Sequence, residues 1–412
     1  MTKSKSRQSV NGQSDTNKTS SQQSVNRNRK DSQSSTENPE KLYAAALVLV
    51  EQSQPAEALE KAQRLLSIVE HRGTAEVLPA LTLLGEICVE LGDADTARAY
   101  FEKAVVIDPD GSVPESMGGG AEKFLWLAQL CEEGGIESVQ WYEKGVKALQ
   151  TEIATLELDG HKMLDEESLL IARMEKKRKL ANALCGIVEV YMTDLSWEED
   201  AEARCEILVT EAMTVEDEPS PEVLQTLASV RLSQERRDDA RAALGRSLES
   251  WKDLEPEDPG VPDFPTRISL ARLLMEAEML SDGFEVLNRL VQEDDESVEA
   301  WYLGGWCQYL VAGNKKESLG GENGHAKQSD EQDEIKAIMK GSRHWLRTSI
   351  KLYQFLEYQD DRLYDHALEL VEDLDMVLGP EDEQAEGAEE SSGEEWDGIE
   401  DDADADERMD DA

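Results

Sequence analysis

A pattern of small and large side chains between Leu78 and Pro109 limits the fold of this chain more than any other feature of its sequence. Apolar or small residues recur every three or four positions in two blocks, as they do on one face of an α-helix. The first block is Leu81, Leu84, Gly85 and Cys88, and the second is Ala97, Phe101 and Ala104. The pattern predicts two antiparallel helices that end at a proline. Because such a hairpin cannot bury its apolar face alone, it must stack on further copies.

The same pattern recurs along most of the chain, and its period of roughly 34 residues is that of a tetratricopeptide repeat. Small residues let the two helices of a repeat touch, while large apolar residues fill the layer between repeats. We therefore predict an all-α tetratricopeptide-repeat solenoid of about seven helical hairpins. A last apolar stripe predicts a C-terminal capping helix with a polar outer face, and its residues are Leu363, Ala367, Leu370, Leu374 and Leu378.

The predicted solenoid spans residues 39–379 and carries two insertions. Residues 151–180 are predicted to form one extended helix, which ends in a basic cluster at residues 176–179 (Lys-Lys-Arg-Lys). The sequence assigns no role to this cluster. Residues 313–333, which include Gly320, Gly321 and Gly324, are predicted to form a flexible loop.

The charge of the chain is strongly negative and unevenly spread. Residues 1–38 are rich in Ser and Gln, hold seven Lys/Arg and three Asp/Glu, and are predicted to be disordered. Residues 380–412 form a predicted disordered acidic tail, in which residues 381–412 hold seventeen Asp/Glu and one Arg. The total is −48, so the segment between them carries −36. Because nucleic-acid recognition needs the opposite sign, a basic protein is the expected partner, without direct contact to nucleic acid.

The sequence also bears on location. It starts without an apolar stretch of leader length and contains no run of about 18 apolar residues, so no membrane association is expected. Residues 27–30 (Arg-Asn-Arg-Lys) match part of a nuclear import signal, although short basic runs are common. The prediction is a protein of the cytoplasm and nucleus.

No pattern typical of an enzyme is present. The five cysteines form no Cys-x-x-Cys pair, and none of the five histidines has a metal-ligand partner at the usual spacing. The chain has no phosphate-binding loop and no nucleophile elbow. We therefore predict a non-enzymatic protein with no catalytic residues, no metal and no cofactor.

The first helix of each repeat is expected to line a concave groove. The repeat register indicates which side chains of that helix face the groove. These positions combine carboxylates with aromatic groups, which suits an extended Lys/Arg-rich segment with apolar anchors. For any single Glu, simple solvation is the plainer interpretation; their concentration on one face favours binding. The heat-shock co-chaperone class is excluded, because its Lys and Asn positions hold Thr82 and Glu86 here. The predicted partner-binding residues are Tyr43, Glu51, Glu86, Glu90, Glu132, Glu133, Glu189, Glu276, Glu299, Tyr302 and Trp306.

Taken together, the sequence resembles the fungal dedicated assembly chaperones of large-subunit ribosomal protein four. The supporting strings are residues 81–86 (Leu-Thr-Leu-Leu-Gly-Glu), 101–104 (Phe-Glu-Lys-Ala) and 301–307 (Trp-Tyr-Leu-Gly-Gly-Trp-Cys), and the resemblance covers roughly residues 39–411. It implies a monomeric chaperone that captures the basic internal loop of its newly made client one to one. The resemblance further implies that the chaperone keeps the client soluble and accompanies it to nuclear pre-ribosomes.

Two other classes stay open at this point. A histone chaperone would bind mainly through the acidic tail, so deletion of residues 381–412 would abolish client binding. A scaffold subunit of a multiprotein complex would instead bind a neutral or acidic helix, and salt would not weaken that binding.

Overall fold

The computed structural model describes residues 38–160, 164–319 and 328–379. These residues form fifteen α-helices, one single-turn 3-10 helix at Glu115–Met117 and no strand. The helices are α1 (Pro39–Glu51), α2 (Pro55–Val69), α3 (Thr74–Glu90), α4 (Ala94–Ile107), α5 (Glu122–Gln129), α6 (Gly135–Asp159), α7 (Glu166–Met192), α8 (Ala201–Val215), α9 (Pro221–Ser233), α10 (Arg237–Glu249), α11 (Phe264–Glu276), α12 (Leu280–Glu293), α13 (Val298–Leu319), α14 (Gln328–Phe355) and α15 (Asp361–Leu378).

Consecutive helices pair into seven hairpins, from α1 with α2 to α13 with α14, and α15 packs on the last of them. The predicted fold class is therefore confirmed: the chain is a tetratricopeptide-repeat solenoid with a C-terminal capping helix. The outer face of α15 is less polar than predicted, because Leu368 and Met376 are exposed on it.

Several helices begin where the sequence supplies a side chain that caps them. An Asp, Asn or Ser oxygen accepts a hydrogen bond from a main-chain N–H in the first turn, which satisfies a donor that the helix itself cannot pair. These caps are Asn38, Asp93, Asp165, Ser220, Asp263 and Asp360. The hairpin boundaries are thus encoded locally.

The small and large residues of the pattern form the contact between the helices of each repeat. In the second repeat Ala97, Phe101 and Ala104 are completely buried. Gly85 on α3 lies against the Phe101 ring so closely that a Cβ there would meet ring carbons at 2.6 Å. The small residue is needed because the neighbouring helix already fills the space.

We expect Gly85→Ala to destabilise the protein by about 1–3 kcal/mol, because the added methyl group forces Phe101 out of its place. Gly245→Ala is the matched control, since Gly245 is also helical but a methyl group added there would meet no neighbouring group within 4 Å. That substitution should instead stabilise by about 0.5–1 kcal/mol. Urea unfolding of both variants measures the difference, and equal effects would contradict this account of the repeat contact.

The two predicted insertions differ from the structure. Residues 151–180 do not form one helix: α6 ends at Asp159 and α7 starts at Glu166, giving a long antiparallel hairpin. The chain turns here because Asp165 caps α7 and Leu169 packs against Gly160, where a Cβ would clash at 2.3 Å.

The prediction of a loop over residues 313–333 is also wrong for most of that segment. Helix α13 continues to Leu319 and α14 starts at Gln328, so only residues 320–327 lie outside the described helices. The helices extend this far because Leu319 packs against the apolar core in which Ile335 is buried, and Lys315 on α13 pairs with Glu334 on α14. The predicted disorder of residues 1–37 and 380–412 lies outside the described residues.

Candidate functional site

The first helices of successive hairpins lie side by side, with α7 next to α9, α9 next to α11, α11 next to α13, and α13 next to α15. Two cavities open along this row. The α9 cavity lies between α7, α9 and α11, and the α13 cavity lies between α11, α13 and α15. Arg272 on α11 borders both cavities, so they are two parts of one groove.

The α13 cavity has a volume of about 630 Å³ and an aromatic wall. Two predicted groove residues, Tyr302 and Trp306, lie here. The Tyr302 hydroxyl is 2.6 Å from Nδ1 of His366 on α15, and the Trp306 and His366 rings meet edge to face with centroids 5.2 Å apart. Burial raises the pKa of Tyr302 to about 12, so its hydroxyl stays protonated. The capping helix thereby fixes an apolar surface in the groove.

Two predicted carboxylates flank this aromatic wall in different states. Glu299 is paired with Arg272, whose Nη2 lies 2.6 Å from a Glu299 oxygen. Glu276 lines the cavity, is exposed to solvent, and has no ion-pair partner among the described residues. Glu276 is therefore the more available of the two for an incoming cation.

The α9 cavity, about 470 Å³ in volume, is lined mainly by polar side chains. Glu189 on α7 and Glu222 on α9 contribute carboxylates, and neither forms an ion pair with another described residue. Surrounding protein raises the pKa of Glu189 by desolvation. Cys185 lies near both carboxylates, and burial above all raises its pKa to about 12, so it stays a neutral thiol. This part of the groove offers negative charge that the fold does not itself neutralise.

At the other end of the solenoid, Tyr43 on α1 lies near Glu86 on α3, and burial together with that carboxylate raises the Tyr43 pKa. Desolvation, followed by the charge of Glu122, raises the pKa of Glu86 to about 7. Glu90 is exposed one turn further along α3, and Glu51 is exposed at the last position of α1. The four predicted residues therefore do lie on first helices, with Glu86 only partly charged at neutral pH.

The basic cluster that the sequence left without a role makes ion pairs across the fold. Lys176 lies 2.7 Å from both Glu115 and Glu152, and Lys179 pairs with Glu115 and Glu122. The two middle residues of the cluster, Lys177 and Arg178, face Asp217 and Glu216 at 3.8 and 3.7 Å. The cluster thus joins α7 to four other segments and neutralises acids near Glu86.

Two predicted groove residues lie elsewhere. Glu132 and Glu133 were expected on the first helix of the third repeat, but α5 ends at Gln129 and both residues fall in the following turn. Arg98 on α4 holds this turn, donating to the Leu130 carbonyl at 3.0 Å and pairing with Glu132 at 3.1 Å. The prediction of these two positions is wrong because α5 has only eight residues.

Some side chains of the groove were not singled out from the sequence. Arg272 occupies the same repeat position as Glu86, Glu189 and Trp306, so the register contained the signal for it. His366 had no such signal, because it belongs to the capping helix and enters the groove through the way α15 packs.

The described residues contain no group of three or more potential metal ligands. All five cysteines are free thiols, and four of them are buried. Within the same part of the chain, no helix is both long and apolar enough to cross a bilayer.

Comparison with known proteins agrees with this architecture. A family model described as tetratricopeptide repeat matches residues 43–112. A curated protein of Emericella nidulans, named probable assembly chaperone of rpl4, is 50% identical over 379 residues, which is 89% of this chain and 90% of the relative. A second one of the same name, from Schizosaccharomyces pombe, is 34% identical over 315 residues, which is 75% of this chain and 84% of the relative.

A solved structure is also similar. It is entitled Assembly Chaperone of RpL4 (Acl4) (Residues 1-338), is 50% identical, covers 69% of this chain and 100% of its own, and superposes with a TM-score of 0.63. The fold and groove define a tetratricopeptide-repeat solenoid protein. Within this class, the chain belongs to the family of the assembly chaperones of rpl4.

Proposed function

We propose that this protein is a dedicated chaperone that holds a basic, extended segment of newly made large-subunit ribosomal protein four in its groove. Membership in the family of assembly chaperones of rpl4 supports a chaperone role toward a ribosomal protein. The observation that carries the binding mode is the row of carboxylates without intramolecular partners among the described residues, Glu189, Glu222 and Glu276, beside the aromatic wall of the α13 cavity.

The chemistry of the groove explains how such a chaperone would work. Carboxylates take the place of the rRNA phosphates that the client meets later, and the aromatic wall shields apolar side chains between the cations. Because the carboxylates are partly solvated, binding should weaken with salt. Release then requires only that rRNA compete for the same cations. The protein acts without catalysis, as a monomer bound one to one to its client.

Delivery is part of the same proposal. A client whose basic segment is covered cannot aggregate or bind RNA before it reaches the site of assembly, so the complex would form in the cytoplasm and travel intact to pre-ribosomes in the nucleus. The net charge of −36 between residues 39 and 380 makes premature contact of the chaperone itself with RNA unfavourable.

The experiment that tests this function is capture from a fungal lysate with the full chain as bait, washed at low and then at high salt, with the partners identified by mass spectrometry. One ribosomal protein near one-to-one ratio, lost at high salt, is the expected result. Histones as main partners would point to a histone chaperone, and a set of neutral subunits retained at high salt would point to a scaffold. Either outcome would overturn the proposal.

We further expect deletion of residues 381–412 to weaken client binding by less than about threefold. The described groove carboxylates lie outside the tail, and attraction between charges that are not in direct contact is weak once salt screens it. Titration of the purified client into the full chain and the truncated chain measures this. Loss of most of the affinity would show that the acidic tail is the main binding element.

A further inference from the structure

The α9 cavity contains a buried amide that the fold leaves unused. Gln225 on α9 is only 6% exposed, and its Nε2 has no hydrogen-bond partner in the part of the chain that the structure describes. The Oε2 atom of Glu222, one helical turn earlier, is also buried and without a hydrogen-bond partner there. Both residues line the cavity. Buried polar groups are rarely left unpaired, so a donor and an acceptor at one site indicate a missing ligand.

The surroundings define the charge of that ligand. Glu189 faces the same cavity from α7, so two carboxylates on neighbouring helices converge there. Among the described lining residues Arg272 is the single cation, and Glu299 on α13 binds its guanidinium at 2.6 Å. The space between Glu189 and Glu222 therefore favours a cation.

The shape and the donors favour arginine over lysine. A guanidinium has five N–H donors in one plane and can contact two carboxylates at once, whereas an ammonium is a compact point charge. The hydroxyl group of Ser229 adds an acceptor on α9, and that of Ser269 adds one on a third wall, α11. The unpaired Nε2 of Gln225 needs an acceptor, and a main-chain carbonyl of an extended peptide supplies one.

We propose that the α9 cavity holds one arginine of an extended basic segment, with its guanidinium between Glu189 and Glu222 and a main-chain carbonyl bound to Gln225 Nε2. This inference rests on the proposed function and adds to it a specific residue type at a specific place. It predicts that the groove distinguishes arginine from lysine, which a merely acidic surface would not do.

The test uses the full chain and two capped eight-residue peptides of equal charge, one alternating arginine with alanine and the other lysine with alanine. We expect the arginine peptide to bind at least about fivefold more tightly by fluorescence anisotropy. Glu222→Gln and Gln225→Leu should each remove this preference. Glu211→Gln, an exposed change on α8 beside a different cavity, is the matched control and should keep it.

Gln225→Leu also gives a readout that separates a binding role from a structural one. Because it replaces an unpaired buried amide by an apolar side chain of similar size, it should raise the melting temperature while it lowers arginine-peptide affinity. A lowered melting temperature with unchanged preference would overturn the proposal, as would equal binding of the two peptides by the unmodified chain.

Failure of this inference can be distinguished from failure of the proposed function. If the lysate experiment captures the ribosomal protein but the two peptides bind equally well, the arginine site is wrong and the chaperone function stands. If the arginine preference is found and depends on Glu222 and Gln225, but no ribosomal protein is captured, the site stands and its client is a different basic protein.

Discussion

Reversal of two groove carboxylates, Glu189→Lys together with Glu276→Lys, is expected to weaken binding of the basic segment by about 100-fold or more. Each removed contact to a charged group is worth about 1.5–3 kcal/mol, and each 1.4 kcal/mol corresponds to about tenfold in affinity. New like-charge repulsion adds to this loss. Both residues line cavities of the groove and have no ion-pair partner among the described residues, so their substitution should leave the fold intact.

The matched control for this prediction is Glu143→Lys together with Glu211→Lys. Both residues are exposed and line a depression between α6 and α8, on second helices of their repeats. The two double variants have the same net charge, so a difference between them reports on position and not on the overall field. We expect less than about fivefold weakening in the control. Equal losses of affinity in the two variants would mean that binding depends on the total charge of the chaperone and not on the groove.

The second large effect concerns pH. Because desolvation, with neighbouring acids, raises the pKa of Glu86 to about 7, a cation placed beside it would release a proton on binding. Affinity for the basic segment should therefore rise as the pH increases from 6 to 8. Calorimetric titration in two buffers of different ionisation enthalpy measures the released proton directly. Glu86→Gln should reduce this release, while Glu102→Gln, an exposed change on α4, should leave it in place.

The raised pKa of Glu86 also affects folding stability, which should fall as the pH rises while the affinity for the basic segment increases. The pKa of Glu86 is higher in the folded chain than the ordinary value of 4.5, so the folded state holds the proton more tightly. The contribution of Glu86 to stability is then lost as the pH rises from about 4.5 to about 7, by at most about 3 kcal/mol. Glu86→Gln should be more stable than the unmodified chain at pH 8. An unchanged or lowered stability there would contradict the buried state of this carboxyl.

The repeat pattern was sufficient to predict the solenoid, because contacts such as Gly85 with Phe101 occur within one hairpin and are fixed by local spacing. The same register predicted Glu189, Glu276, Tyr302 and Trp306 as groove residues, and these side chains line the two cavities. That they bind a partner stays a prediction. Pattern reasoning fails where helix length departs from the repeat. Helix α5 is too short to carry Glu132. Helices α13 and α14 are longer than expected because Leu319 packs against the core and Lys315 pairs with Glu334.

The sequence alone could not predict which side chains of distant segments pair with each other. Nothing in the run of residues 176–179 shows that Lys176 and Lys179 meet Glu115, since more than fifty positions separate them. The sequence likewise did not show that Arg272 forms an ion pair with Glu299, or that Nε2 of Gln225 has no hydrogen-bond partner among the described residues. These facts decide which carboxylates are available, and they depend on three-dimensional packing.

We expect the row of first helices, and not the tail or the opposite surface, to contact the basic segment. Site-specific photo-crosslinking tests this expectation most directly, with a benzophenone amino acid placed at one position of the full chain in each variant. Position 229 on α9 lines the groove, position 207 on α8 is 64% exposed beside the depression between α6 and α8, and position 396 lies in the acidic tail. We predict crosslinks to the client's basic segment from position 229 and none from position 207. Crosslinks from positions 207 or 396 without any from position 229 would contradict the account.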